Sequence, residues 1–382
     1  MRTRKMKVLI TALVLAQAMF LSGVRARAAS AAESLRAASP LSAAALHDAA
    51  AAPNVPAPAP ADARAAHRHP QTAHKAYGSY SGTLITEPDD GRSPVLDLIN
   101  GAQRSIDVTI YTISDSQVVD ALVAAAQRGV AVRVIYNYNS FANRHIYPND
   151  KAANAIISAG GQAHQASSAF TITHQKTITV DGATSLIMTF NLSASYFSNT
   201  RDFGYITADP AQVGEIENVF QADWDNTGVS PSEPSLVWSP NNSRDKILSI
   251  INNARSTLLV DNEETADTQC MNALIAAASR GVSVRFLTAV LSSSSGSGTD
   301  GNAKERDVLN QAGVQAKGAT NHYMHGKMLL ADYGTSYERG FIGSENFSST
   351  SLDKNRELGV ILTNQSALQK IDGIFESDWS AN

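Results

Sequence analysis

The sequence predicts an α/β protein built from two copies of one design, and three observations carry this prediction. A motif of the form His-x-Lys, four residues and Asp begins at His174 and again at His325. Segments typical of strands and helices alternate around each motif. Both copies end in Phe-x-x-Asp-Trp, at Trp224 and Trp379. Internal repeats of this kind indicate repeated structural units, and strand–helix alternation indicates a central sheet covered by helices on both faces.

The first 28 residues have the pattern of an export signal. Basic residues crowd the first seven positions, an apolar run extends from Val8 to Val24, and Ala26-Arg27-Ala28 matches an Ala-x-Ala cleavage site. The apolar run is also near the lower length limit of a membrane span, so an uncleaved anchor is the alternative. We expect residues 1–28 to be a signal peptide and the protein to be secreted or periplasmic.

Removal of residues 1–28 would leave 25 basic and 35 acidic residues, a formal charge of −10. Proteins that bind nucleic acid usually present a basic face. The acidic balance therefore disfavours nucleic acid as a partner, although a local basic groove stays compatible with it. Cys270 is the single cysteine, which excludes an intramolecular disulfide, and we expect it to be a buried residue without a chemical role.

Residues 29–76 are rich in Ala and Pro and are predicted to be a disordered linker, because such a composition buries too little apolar surface to offset its ordering entropy. His67, His69 and His74 lie within it. A metal-binding tract is one interpretation of these histidines, and a solvated linker is the favoured one.

Residues 77–232 form the first predicted repeat. Ser93-Pro94 is typical of a helix start. Strands are predicted at residues 106–111 and 130–135, and the helix between them is expected to end at Arg128-Gly129. The aromatic segment that follows, residues 136–147, is predicted to be either the mouth of a site or an ordinary surface loop.

Residues 233–382 form the second predicted repeat and follow the same order. Strands are expected at residues 257–260 and 282–286, and Arg280-Gly281 ends the helix between them, 152 positions after Arg128-Gly129. A Ser/Gly-rich segment at residues 292–298 takes the place of the aromatic loop. It is interpreted as a lid or as a simple surface loop.

Each motif is predicted to be a strand that runs into a turn, so its His and Lys, two residues apart, point to the same face. The residues concerned are His174, Lys176 and Asp181 in the first copy, and His325, Lys327 and Asp332 in the second. Two such strands facing each other would place two imidazoles and two ammonium groups around one anion. These groups suit covalent phosphoryl transfer without a metal or other cofactor.

The segments after the motifs supply further candidates. Asp181-Gly182 predicts a hairpin whose returning strand brings Asn191 back towards the histidine. Asp202 and Glu357 lie 28 and 32 residues beyond their histidines, and each is a candidate to orient a histidine through a hydrogen bond. The alternative for each acid is a surface salt bridge with the adjacent arginine.

These features resemble the phospholipase D superfamily, whose members carry two His-x-Lys-x4-Asp motifs followed by a Gly-Ser-x-Asn element. The resemblance covers the chain from about residue 80 to its end. The second copy keeps Gly343-Ser344-Glu345-Asn346, whereas the first has Met188-Thr189-Phe190-Asn191. The resemblance implies two αβα-sandwich lobes related by pseudo-two-fold symmetry, with one active site between them.

The resemblance also implies residue roles. One histidine, by analogy His174, attacks phosphorus, and His325 protonates the leaving alcohol and then activates water. Asp181 and Asp332 would support the motif geometry. The groups expected to hold the phosphate are Lys176, Lys327, Asn191 and Asn346, with Thr189 and Ser344 as further substrate contacts.

The function implied is hydrolysis of glycerophospholipid head groups to phosphatidic acid through a phosphohistidine, with transfer to an alcohol as a side reaction. The expected partner is phospholipid at a membrane or vesicle surface, and we expect a monomer. The alternatives are a phosphatidyltransferase of the cardiolipin-synthase kind and an exported nuclease of the same superfamily. A non-catalytic binding module is disfavoured because both copies retain His, Lys and Asp.

Overall fold

A computed structural model describes residues 82–138, 147–290 and 300–382. The predicted signal peptide, the predicted linker, most of the aromatic loop and the Ser/Gly-rich loop lie outside the described residues.

The first lobe contains a mixed sheet. Its strands are β1 (Thr83–Glu87), β2 (Ser105–Ile110), β3 (Ala131–Tyr136), β4 (Gln162–Gln165), β5 (Lys176–Val180), β6 (Thr184–Met188) and β7 (Thr200–Thr207). Its helices are α1 (Ser93–Gly101), α2 (Ser116–Gln127), α3 (Tyr147–Ser158) and α4 (Pro210–Trp224). The strands lie in the order β1-β7-β6-β5-β2-β3-β4.

The second lobe repeats this arrangement. Its strands are β8 (Leu236–Ser239), β9 (Thr257–Asn262), β10 (Ser283–Ala289), β11 (Gln315–Ala319), β12 (Tyr323–Met324), β13 (Lys327–Ala331), β14 (Arg339–Gly343) and β15 (Glu357–Leu362). Its helices are α5 (Ser243–Asn253), α6 (Thr268–Ser279), α7 (Ala303–Gln311), α8 (Ser349–Asp353) and α9 (Gln365–Ala381). The order β8-β15-β14-β13-β9-β10-β11 matches that of the first sheet strand for strand.

The connections explain the strand directions. β2 and β3 run parallel because α2 carries the chain back between them, whereas β5 and β6 are antiparallel neighbours joined by a tight turn. In that turn Asp181 and Gly182 both have positive φ, 57° and 61°, and the Ala183 N–H donates to Val180 O. The turn predicted from Asp181-Gly182 is confirmed.

The described residues form three apolar clusters, one within each lobe and one between the lobes. One lies on the outer side of the first sheet and includes Ile178 and Leu186, and its counterpart in the second lobe includes Val260 and Leu329. The third is central and contains side chains of both sheets. They include Ile187 and Phe203 from the first sheet and Leu330 and Ile342 from the second. Every residue of β5, β6 and β7 is buried, because both faces of the sheet are covered.

Two further expectations from the sequence were wrong: that Ser93 is the N-cap of the first helix, and that Trp224 and Trp379 fill the cores of their lobes. Helix α1 begins at Ser93 with Arg92 as its N-cap, and no side chain caps it. Trp224 and Trp379 do not fill the cores: both are half-buried, and their rings stack on neighbouring aromatic rings, including His164 in the case of Trp224. The fully buried tryptophan is Trp238, in the central cluster.

The lobes also exchange backbone hydrogen bonds. β12, which directly precedes the second motif, pairs in parallel with β7 of the first lobe. Reciprocally, Thr173, just before the first motif, bridges to Arg356, just before β15 of the second lobe. This reciprocal exchange is the arrangement expected of two lobes related by a pseudo-two-fold axis, and it lies at the two motifs.

Candidate active site

The histidines of both motifs lie at the junction of the lobes, and each is held there by the opposite lobe. The N–H groups of His174 and Gln175 both donate to Arg356 O at 2.9 Å. On the other side, the N–H groups of His325 and Gly326 donate to Arg201 O at 3.2 and 2.8 Å. The start of each motif strand is therefore positioned by the partner lobe.

Each histidine ring pairs with a carboxylate of the other copy. His174 Nδ1 lies 2.8 Å from Glu357 Oε2, and His325 Nδ1 lies 2.8 Å from Asp202 Oδ1. The sequence selected these two acids as orienting groups but paired each with the histidine of its own copy. That pairing was wrong, because β7 and β15 point their first carboxylates across the lobe junction.

Neighbouring hydroxyl and amide groups fix both carboxylates. Glu357 Oε1 accepts hydrogen bonds from the Ser351 hydroxyl at 2.6 Å and from Asn355 Nδ2 at 2.9 Å. Burial raises the pKa of Glu357, but His174 and the hydrogen bonds outweigh burial and lower the pKa below its usual value. An ionised Glu357 only accepts, so His174 donates its Nδ1–H and keeps a lone pair on Nε2.

His174 is neutral at neutral pH. Burial lowers its pKa to about 4, and the charge of Lys176 acts in the same direction against the opposing effect of Glu357. The edge of its ring contacts Tyr111, with ring centroids 4.9 Å apart. A buried, neutral imidazole with a fixed tautomer is suited to nucleophilic attack.

Both motif lysines are fully buried. Lys176 Nζ donates to His174 O at 2.6 Å, and Lys327 Nζ donates to His325 O and, at 2.8 Å, to Glu263 Oε2. Burial lowers the pKa of Lys176 to about 7, and repulsion from Lys327 contributes. This effect of Lys327 on Lys176 is what two ammonium groups near each other would produce. An anion between them would favour their charged forms.

The side chains that follow the motifs have divergent roles. Asn191 is buried, and its Oδ1 accepts the Thr112 N–H at 3.3 Å, which leaves its amide N–H groups to donate. Asn346 lies beside Glu263, with Nδ2 3.4 Å from Oε2. Asn191 thus lies beside Thr112 and Asn346 beside Glu263, and their contact with phosphate stays a prediction.

Thr189 and Ser344 do not have the place expected of substrate contacts. Thr189 Oγ1 donates to Asp202 Oδ1 at 2.5 Å and accepts the Phe203 N–H, so its hydroxyl orients the carboxylate behind His325. Ser344 is fully buried, and its Oγ accepts the Leu358 N–H at 3.2 Å. Both hydroxyls therefore accept a backbone N–H of the neighbouring strand.

Asp181 and Asp332 lie at the far ends of the motif strands from the histidines. Asp181 Oδ1 accepts the N–H groups of residues 103–105, and Asp332 Oδ1 accepts those of residues 255–257. Each carboxylate thus ties its turn to the start of β2 or β9. They support the geometry of the motif strands at the ends away from the histidines.

The arginines beside the two orienting acids form ion pairs elsewhere. Arg201 Nε lies 2.6 Å from Asp378 Oδ2, and Arg356 Nη2 lies 2.8 Å from Asp223 Oδ1. Each pair joins one lobe to the last helix of the other lobe: Asp378 lies in α9 and Asp223 in α4. The alternative that each acid pairs with its adjacent arginine is therefore wrong.

The sequence reasoning missed Glu263. Its Oε2 lies 2.8 Å from Lys327 Nζ and 3.6 Å from His325 Nε2, and its Oε1 accepts the Tyr323 hydroxyl at 2.8 Å. Glu263 directly follows β9 where Tyr111 directly follows β2, so the two positions are equivalent, but its contact with Lys327 becomes visible only in the fold.

Among the described residues, no group of three or more His, Cys, Asp or Glu side chains is arranged to hold a metal ion. Within the same ranges, no helix has the length and apolarity to span a bilayer. Cys270 is buried, as expected.

Residues 95–224 and 247–379 match the family described as "Cardiolipin synthase, PLD-like domain", and the two matches cover more than half of the chain. The chain belongs to this phospholipase D-like family. The predicted superfamily and the predicted two-lobe fold are both confirmed. Members of this superfamily are phosphodiesterases and phosphotransferases. The comparison supports an activity of this general kind.

A curated relative is similar to part of this chain. The mitochondrial cardiolipin hydrolase of Xenopus laevis is 29% identical over 143 residues, which are 37% of this chain and 64% of that protein. The chain therefore spans just under two thirds of the length of this curated relative.

Two solved structures share the fold with this family member. One is polyphosphate kinase from Porphyromonas gingivalis, with a TM-score of 0.59, 18% identity, and coverage of 77% of this chain and 46% of the kinase. The other is phosphatidylserine synthase from Haemophilus influenzae Rd KW20, with a TM-score of 0.57, 10% identity, and coverage of 78% and 85%. At these identities the likeness concerns the fold alone.

Proposed function

We propose that the protein is a phospholipase D-type phosphodiesterase that hydrolyses glycerophospholipid head groups to phosphatidic acid. The crossed pairs His174–Glu357 and His325–Asp202, beside two buried lysines, carry the proposal. They supply a nucleophile, a proton donor and positive charge at one point, which is what phosphodiester cleavage requires.

In the first step, Nε2 of His174 attacks phosphorus, and the bond from phosphorus to the head-group oxygen breaks. The leaving oxygen takes a proton from Nε2 of His325, and the phosphatidyl group stays on His174. Lys176 and Lys327 stabilise the negative charge on the non-bridging oxygens. Glu357 stabilises the positive charge that develops on the attacking imidazole, because it accepts the Nδ1–H at 2.8 Å.

In the second step, His325 takes a proton from water, and the water oxygen attacks phosphorus. The bond between phosphorus and Nε2 of His174 breaks, which releases phosphatidic acid and restores both histidines. An alcohol in place of water would give the corresponding phosphatidyl alcohol. Attack by the enzyme and then by the acceptor means two inversions, so configuration at phosphorus is retained.

Two observations support a lipid as the substrate. The formal charge of −10 after removal of residues 1–28 opposes a polyanionic nucleic acid. The curated relative from Xenopus laevis is named as a cardiolipin hydrolase. The export signal predicted at residues 1–28 motivates the further proposal that the protein acts outside the cytoplasm, in a secreted or periplasmic form.

Phosphatidyl transfer is the second candidate function. The description of the matching family names cardiolipin synthase, and a transferase would use the same phosphohistidine with an alcohol as acceptor. The two functions differ only in which nucleophile enters the site during the second step.

Purified protein mixed with phosphatidylcholine vesicles and ethanol tests the proposal. We expect phosphatidic acid and phosphatidylethanol by mass spectrometry, and neither product with the His174→Ala variant. Phosphatidylglycerol vesicles form the second arm, in which cardiolipin as the main product would favour the transferase. DNA forms the third arm. Cleavage of DNA without any lipid product would overturn the lipid proposal in favour of a nuclease.

A further inference from the structure

The two halves of the site differ at one pair of equivalent positions, Tyr111 and Glu263. In the sheets, Ile110 is paired with Lys176 and Asn262 with Lys327, so Tyr111 and Glu263 each come directly after the residue beside a motif lysine. The pseudo-symmetry would place the same kind of group in both halves. Instead, an aromatic ring stands in one half and a carboxylate in the other.

The aromatic half is compatible with simple packing. Tyr111 contacts the edge of the His174 ring, and Lys176 Nζ lies 5.5 Å from the centre of the Tyr111 ring. The ring supports both side chains and adds no charge. A role beyond this support is not required in the first half.

The acidic half requires an explanation. Glu263 Oε2 accepts from Lys327 and lies 3.6 Å from His325 Nε2, so it shares both groups with the phosphate that the mechanism places there. Burial raises the pKa of Glu263, but Lys327 and His325 outweigh it and lower the pKa. The ionised carboxylate is also anchored by the Tyr323 hydroxyl at 2.8 Å. The side chain is 19% exposed, so part of it is accessible from solvent.

The direction of attack places the leaving group on this side. A nucleophile and the group it displaces lie on opposite sides of phosphorus. With His174 attacking, the head-group alcohol departs next to His325, and Glu263 lies beside Nε2 of His325. The alcohol part of the substrate is therefore the part that meets the carboxylate.

We infer that Glu263 selects the alcohol portion of the substrate by charge, a deduction that rests on the proposed function. The carboxylate favours an alcohol that carries an ammonium or hydroxyl group and disfavours one that carries a second anion. Repulsion between two like charges at contact distance in a partly buried site is a strong effect. Nucleic acid, with an anionic phosphate on each side of the reacting one, is thus a poor substrate.

Binding of soluble head-group diesters separates this selection from turnover. Glycerophosphoethanolamine and glycerophosphoserine differ by one carboxylate, and both would be titrated by calorimetry into the His174→Ala protein, in which attack is blocked. We expect the ethanolamine diester to bind about tenfold more tightly, which corresponds to about 1.4 kcal/mol. The same comparison is made after adding Glu263→Gln, Glu263→Asp or Glu264→Gln.

Glu263→Gln should reduce the preference to near unity because it removes the charge and keeps the shape. Glu263→Asp, which keeps the charge, should retain the preference and provides the test if the Gln variant does not fold. Glu264 is the matched control because its carboxyl hydrogen-bonds to Ser348, and Glu264→Gln should retain the preference as well.

Equal affinities for the two diesters, or a preference that survives Glu263→Gln, would overturn the inference. Failure of the proposed function has a different signature. In that case the unmodified protein would not cleave phosphatidylcholine. The ratio of the affinities for the two diesters is measured in the His174→Ala protein, so it tests the role of Glu263 separately.

Discussion

His174 and Lys176 lie two residues apart, and their titration governs opposite limbs of the pH profile. The pKa of His174 is lowered to about 4 and that of Lys176 to about 7. Below the first value, a proton occupies the attacking lone pair. Above the second value, Lys176 loses the charge that attracts the phosphate.

We therefore expect kcat/KM to rise through about pH 4 and to fall above about pH 7. Bound phosphate favours the charged ammonium of Lys176, so kcat should decline at a higher pH than kcat/KM does. Initial rates on a soluble phosphodiester across this range would show both profiles. A kcat/KM that stays flat to pH 9 would show that Lys176 does not titrate in the free protein.

The crossed carboxylates give a second prediction, because Glu357 orients the histidine that attacks phosphorus and Asp202 orients the histidine that activates water. Glu357→Gln should slow formation of the phosphohistidine, and Asp202→Asn should slow its breakdown, each by about 100-fold or more. A diester with a p-nitrophenolate leaving group makes the difference visible, since that group departs without an acid. The phosphohistidine should then accumulate in the Asp202→Asn protein and not in the Glu357→Gln protein. The reverse result would indicate that His325 is the nucleophile.

At the residue scale, the motif positions and the two orienting acids could be predicted from the sequence, because their spacing is regular in both copies. The roles of Thr189 and Glu263 could not. A hydroxyl beside a histidine motif is compatible with a phosphate contact, but only the fold shows that Thr189 donates to Asp202. Glu263 belongs to no motif, and only the strand register reveals that it adjoins Lys327.

Among the elements, β7 and β15 have the largest consequences for the site. An arginine is followed by an acid at the start of each, Arg201-Asp202 in β7 and Arg356-Glu357 where β15 begins, and successive residues of a strand point to opposite faces. The acid therefore points to the histidine of the other lobe. The arginine points to the last helix of the other lobe, which is α9 for Arg201 and α4 for Arg356. The sequence pattern selected both acids, but it did not predict the two strands that carry them. It could not predict that each acid pairs with the histidine of the other copy. Separation along the chain favours pairing within one copy, and only the fold shows how the two lobes meet.

Arg201 tests the mechanical role of this exchange. Arg201 and Asp378 are only 4% and 6% exposed, so Arg201→Met leaves a buried carboxylate without its partner. We expect a loss of about 3 kcal/mol in the free energy of unfolding, measured by urea denaturation. Arg285→Met is the matched control: its partner Glu376 is 45% exposed, and the loss should be within about 1 kcal/mol. Equal losses would show that Arg201 does not join the lobes.

At the scale of the whole molecule, two copies of one unit form one site that neither copy contains alone. His174 depends on Glu357 of the second lobe, and His325 depends on Asp202 of the first. The repeat itself was predictable, because strand order and motif spacing recur along the chain. The shared use of the site is a property of the junction, where β12 pairs with β7 and Thr173 with Arg356.

A single shared site predicts how the histidine variants combine. His174→Ala and His325→Ala should each abolish turnover of phosphatidylcholine, and the double variant should be no less active than either, because residues that act as one catalytic unit are not additive. His164→Ala is the control, since His164 stacks on Trp224 at 3.8 Å, away from the site. Rates would be compared at equal protein concentration after thermal melts confirm folding. If one single variant kept about half of the activity, each lobe would hold a site of its own, and the crossed pairs would then be structural contacts without a shared chemical step.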